Sequence, residues 1–171
     1  MHVPDDWSPF VPAGFELLRV VRGDLNADGR DDAVVVATPG RGDPQARFKP
    51  RALSIALSRA EGSFTLAAQN TVLAACATCG GRFGDALVRT AIREGTVVIV
   101  NEGGSATSGW SNEYTFGRDA STGEFVLIRY HAVVSSQRSQ MSKHVDRTPA
   151  DFGLRRFADV SSKDLPIPTL D

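Results

Sequence analysis

FELLRVVRGDLNADGRDDAVVVAT, residues 15–38, sets two apolar runs on either side of a polar loop. FELLRVV (15–21) and AVVVAT (33–38) are rich in β-branched and large apolar side chains, which fit a pleated surface buried on at least one face. Between them Asn, Asp and Gly supply the residues that turn a chain back on itself, so the stretch predicts a hairpin.

The same pattern recurs outward from this hairpin. TPGRGDPQARFKP (38–50) is dense in Gly and Pro and reads as a loop. In ALSIALS, Leu53, Ile55 and Leu57 alternate with small or polar neighbours, EGS turns the chain and FTLAA returns it. LVRTAIREGTVVIV (87–100) turns at Glu94 and Gly95, and NEYTF, GRDASTG and EFVLIRYHAVV make a further hairpin. Helical spacing is confined to TPADFGLRRF, Thr148 to Phe157, a short helical turn behind a Thr cap. The predicted fold is mostly β, a single domain of successive antiparallel hairpins, sandwich or propeller-like. Residues 1–13, with three prolines, form an N-terminal arm anchored by Trp7 and Phe10, residues 14–160 the β domain, and residues 161–171 a C-terminal tail.

A chain of 171 residues suits one domain and buries roughly two thirds of the surface it exposes when unfolded. Nineteen Lys and Arg against 20 Asp and Glu, mixed along the chain, leave no basic face for nucleic acid or an anionic membrane. AVVVA and TVVIV fall far short of the roughly 20 apolar residues that span a bilayer. The start, MHVPDDWSPF, has no basic and apolar leader, and it is equally what a chain shows once a signal or lipid anchor has been removed.

Within DLNADGRDD, side-chain oxygens fall at Asp24, Asn26, Asp28 and Asp32, which are positions 1, 3, 5 and 9 of an EF-hand-type loop. Gly29 stands at the sharp turn and the Arg30 carbonyl at position 7. Four oxygen side chains, a carbonyl and water suit Ca²⁺ better than the tighter octahedron of Mg²⁺. The departure is position 12, where the bidentate Glu is replaced by Val35, already inside a strand. The loop resembles the calcium loops in β-hairpins of integrin-like FG-GAP repeats, but a single copy does not support a propeller of tandem repeats. The alternative is a polar hairpin loop without metal, in which the clustered carboxylates repel one another. A bound Ca²⁺ would be structural, since the loop's own ligands would fill its shell.

Cys76 and Cys79, the chain's two cysteines, form a C-x-x-C in ACATCGG. One pair does not complete a tetrahedral zinc site, and His2, His131 and His144 show no ligand spacing to it. Two following glycines argue against a thioredoxin-like redox pair at a helix start. The favoured reading is a small structural disulfide across a turn in an exported protein, with two reduced, buried thiols as the alternative.

NEGGSATSGWSNEYTF (101–116) reads as a Gly- and Ser-rich loop carrying Trp110 and Tyr114, the composition of recognition loops. The alternative has both aromatics pointing inward to cap the core. Ser105 and Ser108 lack a G-x-S-x-G frame or an assignable His and Asp, and Glu102, Glu113 and Asp85 show no acid–base geometry, so no enzyme is expected. RGD at 41–43 is too short to carry information.

FVPAGFELL, GDLNADGRDDAVVV, CATCGGRFGDAL and GGSATSGWSNEYTF, with the late ADFG, stand in the order of a family of exported bacterial proteins and lipoproteins that this chain resembles over about residues 9–157. That family includes periplasmic immunity proteins against lysozyme-like effectors of bacterium-killing type IV secretion systems, and its β-rich fold is similar to that of the invertebrate-type periplasmic lysozyme inhibitors. The resemblance implies Ca²⁺ held by Asp24, Asn26, Asp28, the Arg30 carbonyl and Asp32, a periplasmic or envelope location, and a lysozyme-like hydrolase as protein partner. It also implies occlusion of the hydrolase cleft by Ser105, Ser108, Gly109, Trp110 and Tyr114, although Tyr114 stands two residues beyond the S-G-x-x-Y spacing of those inhibitors. A calcium-binding envelope module with a structural or carbohydrate-binding role is the alternative.

Overall fold

A computed structural model describes residues 6–170 and is mostly β. Its elements are β1 (Phe15–Gly23), β2 (Asp32–Pro39), β3 (Arg51–Ser58), β4 (Phe64–Ala74), β5 (Leu87–Arg93), β6 (Thr96–Gly104), β7 (Ser108–Arg118), β8 (Phe125–Ser136), β9 (Met141–Arg147) and a single-turn helix α1 (Pro149–Phe152). Strands pair antiparallel in chain order, giving a four-stranded sheet β1-β2-β3-β4 and a five-stranded sheet β5-β6-β7-β8-β9. Both sheets contribute to one buried cluster, with Val34, Val36, Leu53 and Leu73 from the first and Ile99, Tyr114, Phe116 and Leu127 from the second. Successive hairpins thus build two meanders around a shared core, and no propeller repeat forms among the described residues.

The opening hairpin is closed by the pair Gly23 and Asp32, with the polar loop between them. β2 reads as a continuous apolar run because it is covered on both sides. Val34 and Val36 face the main core, whereas Ala33 and Val35 join Ala56, Trp7 and Phe10 in a second cluster. Trp7 and Phe10 therefore anchor the arm as predicted; its residues 1–5 lie outside the described residues. Ser54 Oγ donates to the Phe10 carbonyl at 2.7 Å and ties the arm to β3.

The turn at Glu94 and Gly95 has φ of 48° and 74°, the two positive values that a two-residue hairpin needs to match the strand twist. α1 begins behind Thr148, whose N–H donates to Asp151 Oδ2 at 2.8 Å. Beyond it the chain sends Phe157 into the core, where it meets Phe116 edge to face. Asn70 Nδ2 on β4 donates to the carbonyls of Phe157 and Val160 at 2.7 and 2.8 Å, pinning this segment between the sheets. β9 has no counterpart in the sequence reading, because MSKHVDR is an exposed edge strand with polar side chains. No helix among the described residues is long and apolar enough to cross a membrane.

Candidate functional site

The loop between β1 and β2 is organised by its own side chains. Asp24 Oδ2 accepts the Gly29 N–H at 2.9 Å, and Asp24 Oδ1 accepts those of Asn26 and Asp28 at 3.2 and 3.3 Å. These donors, Gly29 first, hold the Asp24 carboxyl below the usual carboxylate range. The stabilisation this brings is present at neutral pH and is lost as pH falls through that lowered value. Asp28 Oδ1 accepts the Arg30 N–H at 2.9 Å, and Asp28 Oδ2 pairs with the Arg30 guanidinium at 2.7 Å. Ala27 and Gly29 turn the chain with φ of 60° and 79°.

Asp32 differs from the other three. It is fully buried, its Oδ2 accepts the Leu25 N–H at 2.8 Å, and its Oδ1 accepts both the N–H and the hydroxyl of Ser58 at 2.8 and 3.2 Å. It braces the loop to the end of β3, a role its place in an acidic run does not announce.

The oxygen donors match the chemistry of a hard cation. Each carboxylate oxygen accepts more than one bond, so Asp24 and Asp28 keep acceptor capacity toward solvent beyond their bonds within the loop. Among the described residues, however, no three His, Cys, Asp or Glu side chains are grouped about one point as metal ligands. The loop's carboxylates are spent first on backbone N–H groups, so a cation would have to draw Asp28 away from Arg30.

At the opposite end of the predicted site, residues 101–116 are a hairpin and not a loop. β6 runs on to Gly104 and β7 begins at Ser108, with Gly104 opposite Gly109 and Gly103 opposite Trp110. Ser105 and Ser108 hold the turn together, their hydroxyls 2.8 Å apart, and Ser105 Oγ accepts the Thr107 and Ser108 N–H groups at 3.2 Å. The glycines serve close packing. A Cβ on Gly104 would lie 2.2 Å from the Ser108 carbonyl oxygen, and one on Gly103 2.5 Å from the Trp110 ring.

The strand alternation separates the two aromatics of this segment. Trp110, Asn112 and Tyr114 lie two residues apart and share the core-side face. Trp110, near the strand's open end, is half-buried, whereas Tyr114 is wholly enclosed beside Tyr130. Tyr114 therefore presents no surface to a partner, and its expected place in the recognition group is corrected. Ser105 and Ser108 remain exposed, with Gly109 and Trp110 partly so.

Cys76 and Cys79 are joined by a disulfide. The segment after it is strapped to the hairpin: Gly104 N–H donates to the Gly80 carbonyl and Arg82 N–H to the Gly104 carbonyl, each at 3.0 Å. Buried Arg51 braces the strap from below, binding Asp85 through two contacts of 2.7 and 2.6 Å and the Ala75 carbonyl at 2.9 Å. Asp85 is thereby a structural partner, while Glu102 and Glu113 lie on the paired strands β6 and β7, opposite Ser111 and Val100. Phe83, 64% exposed, lies against Gly104. Beside it opens a groove of about 250 Å³ whose walls include Glu102, Trp110, Ser111 and Ser135. Phe83 was not singled out from the sequence; an aromatic residue between glycines in CGGRFGD was the available signal.

No family model, curated protein or solved structure matches the chain.

Proposed function

We propose that this chain is a calcium-stabilised, exported β domain that binds a protein, and that it protects its cell by inhibiting a lysozyme-like peptidoglycan hydrolase. The observation that carries the reading is one end of the second sheet. There a rigid hairpin tip (Ser105 to Gly109), half-buried Trp110 and exposed Phe83 surround a polar-edged groove. Aromatic side chains held on a strapped hairpin supply contact area at little ordering cost, and serine hydroxyls at the tip can bond to the carboxylates of a hydrolase cleft. Tyr114 has no part in this contact.

The test is a turbidity assay of peptidoglycan lysis by lysozyme-like hydrolases, including any encoded next to this chain. Wild type should slow lysis, and Phe83→Ala should raise the inhibitory concentration by about tenfold or more, as loss of an aromatic anchor does. Unchanged lysis at a large excess of wild type sinks the proposal. The exposed Phe83 ring beside Glu102 and the serines also favours a second reading, a carbohydrate-binding envelope module, which would show itself as co-sedimentation with insoluble peptidoglycan in the absence of any hydrolase.

For the cation, Asp24, Asn26, Asp28 and the Arg30 carbonyl would be the ligands, with Asp32 closing the loop. A bound Ca²⁺ would offset the carboxylate repulsion and lock the hairpin. Saturating Ca²⁺ should raise Tm relative to chelator, by about 2.7 kcal/mol of added stability at one hundred times Kd. Asp24→Ala with Asp28→Ala should erase the difference. If chelator leaves the Tm of a verified metal-free sample unchanged, the loop is a turn and nothing more.

A further inference from the structure

The second sheet carries a cluster of side chains that neither the loop nor the groove uses. His131 on β8 is directly opposite Glu113 on β7 and Asp146 on β9, and paired residues project to the same face. His131 Nδ1 lies 3.0 Å from Asp146 Oδ2. Asp146 Oδ1 in turn accepts the Arg129 guanidinium at 3.0 and 2.8 Å, so the carboxylate is fixed from both sides. His144 on β9 pairs with Val133, which makes it the diagonal neighbour of His131, and the two imidazole rings lie 6.0 Å apart.

This arrangement has a chemical consequence. A carboxylate can only accept, so the neutral His131 ring gives Asp146 its Nδ1 proton and keeps the lone pair on Nε2. An imidazole held by a carboxylate through one nitrogen, with the other nitrogen on the metal, is the usual state of a metal-bound histidine, and the carboxylate makes the ring a stronger ligand. An ion about 2.0–2.1 Å from one nitrogen of each ring requires two imidazoles side by side at a separation of this order.

We propose that His131 and His144 are the protein ligands of a surface site for a divalent transition metal, Cu²⁺, Ni²⁺ or Zn²⁺, with Asp146 orienting His131. Imidazole selects these ions over Ca²⁺ and Mg²⁺, so the site is chemically separate from the loop between β1 and β2. Among the described residues no third side chain converges with the pair, and water completes the coordination shell. Because one ligand comes from β8 and the other from edge strand β9, the ion would also staple that edge to the sheet.

Calorimetric titration of the metal-free chain with each of the three chlorides tests the site. Wild type should bind one equivalent at micromolar metal, Cu²⁺ most tightly by the Irving–Williams order. His131→Ala and His144→Ala should each weaken binding at least tenfold, and Asp146→Asn by roughly tenfold with unchanged stoichiometry, the loss that follows when an orienting partner is removed. Both histidines lie on the surface of one sheet edge, and a Tm measured in chelator checks that each variant is folded. The electron paramagnetic spectrum of the Cu²⁺ complex should carry hyperfine coupling to imidazole nitrogen that weakens in either histidine variant. Asp24→Ala with Asp28→Ala should leave the titration unchanged, and so should His2→Ala, a histidine outside the described residues. Absence of binding by wild type overturns the proposal, as does binding that survives the double variant His131→Ala, His144→Ala or that disappears with His2→Ala alone.

Discussion

Asp32→Ala should lower the free energy of unfolding by about 3–5 kcal/mol, measured by urea denaturation in the presence of chelator. Its carboxylate is fully buried and accepts the Leu25 N–H, the Ser58 N–H and the Ser58 hydroxyl. Alanine strands the buried Leu25 N–H and the partly buried Ser58 N–H. An unsatisfied buried donor costs about 1–3 kcal/mol, and hydrogen bonds to a charged acceptor stand at the upper end of that range. Leu25, next to one of these donors, is itself part of the main core, so the chain cannot swing outward to let water in without exposing an apolar side chain. Asp32→Asn should cost less, about 2 kcal/mol, because the amide keeps one acceptor oxygen but turns an N–H toward the other donor. A loss below 1 kcal/mol for Asp32→Ala would show that water reaches both donors and that the brace is dispensable. The same series in saturating Ca²⁺ separates two roles. If Asp32 also ligates the cation, the gap between wild type and Asp32→Ala widens when Ca²⁺ is added; if it only braces the hairpin, the gap stays constant.

The hairpins were legible because strand alternation is local. Leu53, Ile55 and Leu57, the Glu94 and Gly95 turn, and the Thr148 cap each declare themselves within a few residues. What was not legible depends on distant partners. The four oxygens of DLNADGRDD look alike in sequence, yet Asp32 alone is buried, since its partner Ser58 lies on another strand. β9 carries no apolar run, because a largely exposed edge strand is held mostly by backbone pairing to β8 and by the Asp146 contacts with Arg129 and His131, with Val145 alone packing against the main core. The segment 101–116 looked like a loop because Gly and Ser are rich in loops. Here Gly103 and Gly104 sit in strand because Trp110, the Ser108 carbonyl and Phe83 approach too closely for a side chain. Of the candidate contact residues, the serines and Trp110 are at the surface end of the hairpin, Tyr114 is not, and Phe83 joins them through a strap of backbone bonds from a distant part of the sequence.

Tyr114 supplies the second large effect, and its two substitutions should behave in opposite ways. Tyr114→Ala should cost about 3–5 kcal/mol, as removal of a buried aromatic ring does, because Tyr130 packs against it with ring centres 5.0 Å apart and neither strand backbone can collapse into the void. Tyr114→Phe should fall within about 1 kcal/mol of wild type or exceed it. The hydroxyls of Tyr114 and Tyr130 are both buried and neither makes a hydrogen bond of good geometry, so each carries a desolvation cost with little return. Burial also pushes the Tyr114 phenol far above its ordinary value and that of Tyr130 up to about 12, so both stay neutral at any working pH and no charge is lost by the substitution. A cost above about 2 kcal/mol for Tyr114→Phe would reveal a buried partner for the hydroxyl and overturn this account. The pair of substitutions also divides core from contact surface in the lysis assay. Tyr114→Phe should inhibit as wild type does, while Phe83→Ala, which removes an exposed ring and leaves the core intact, should lose inhibition without losing stability. If instead Tyr114→Phe abolished inhibition at unchanged Tm, the phenol would have to reach the partner, and the hairpin would have to open to let it.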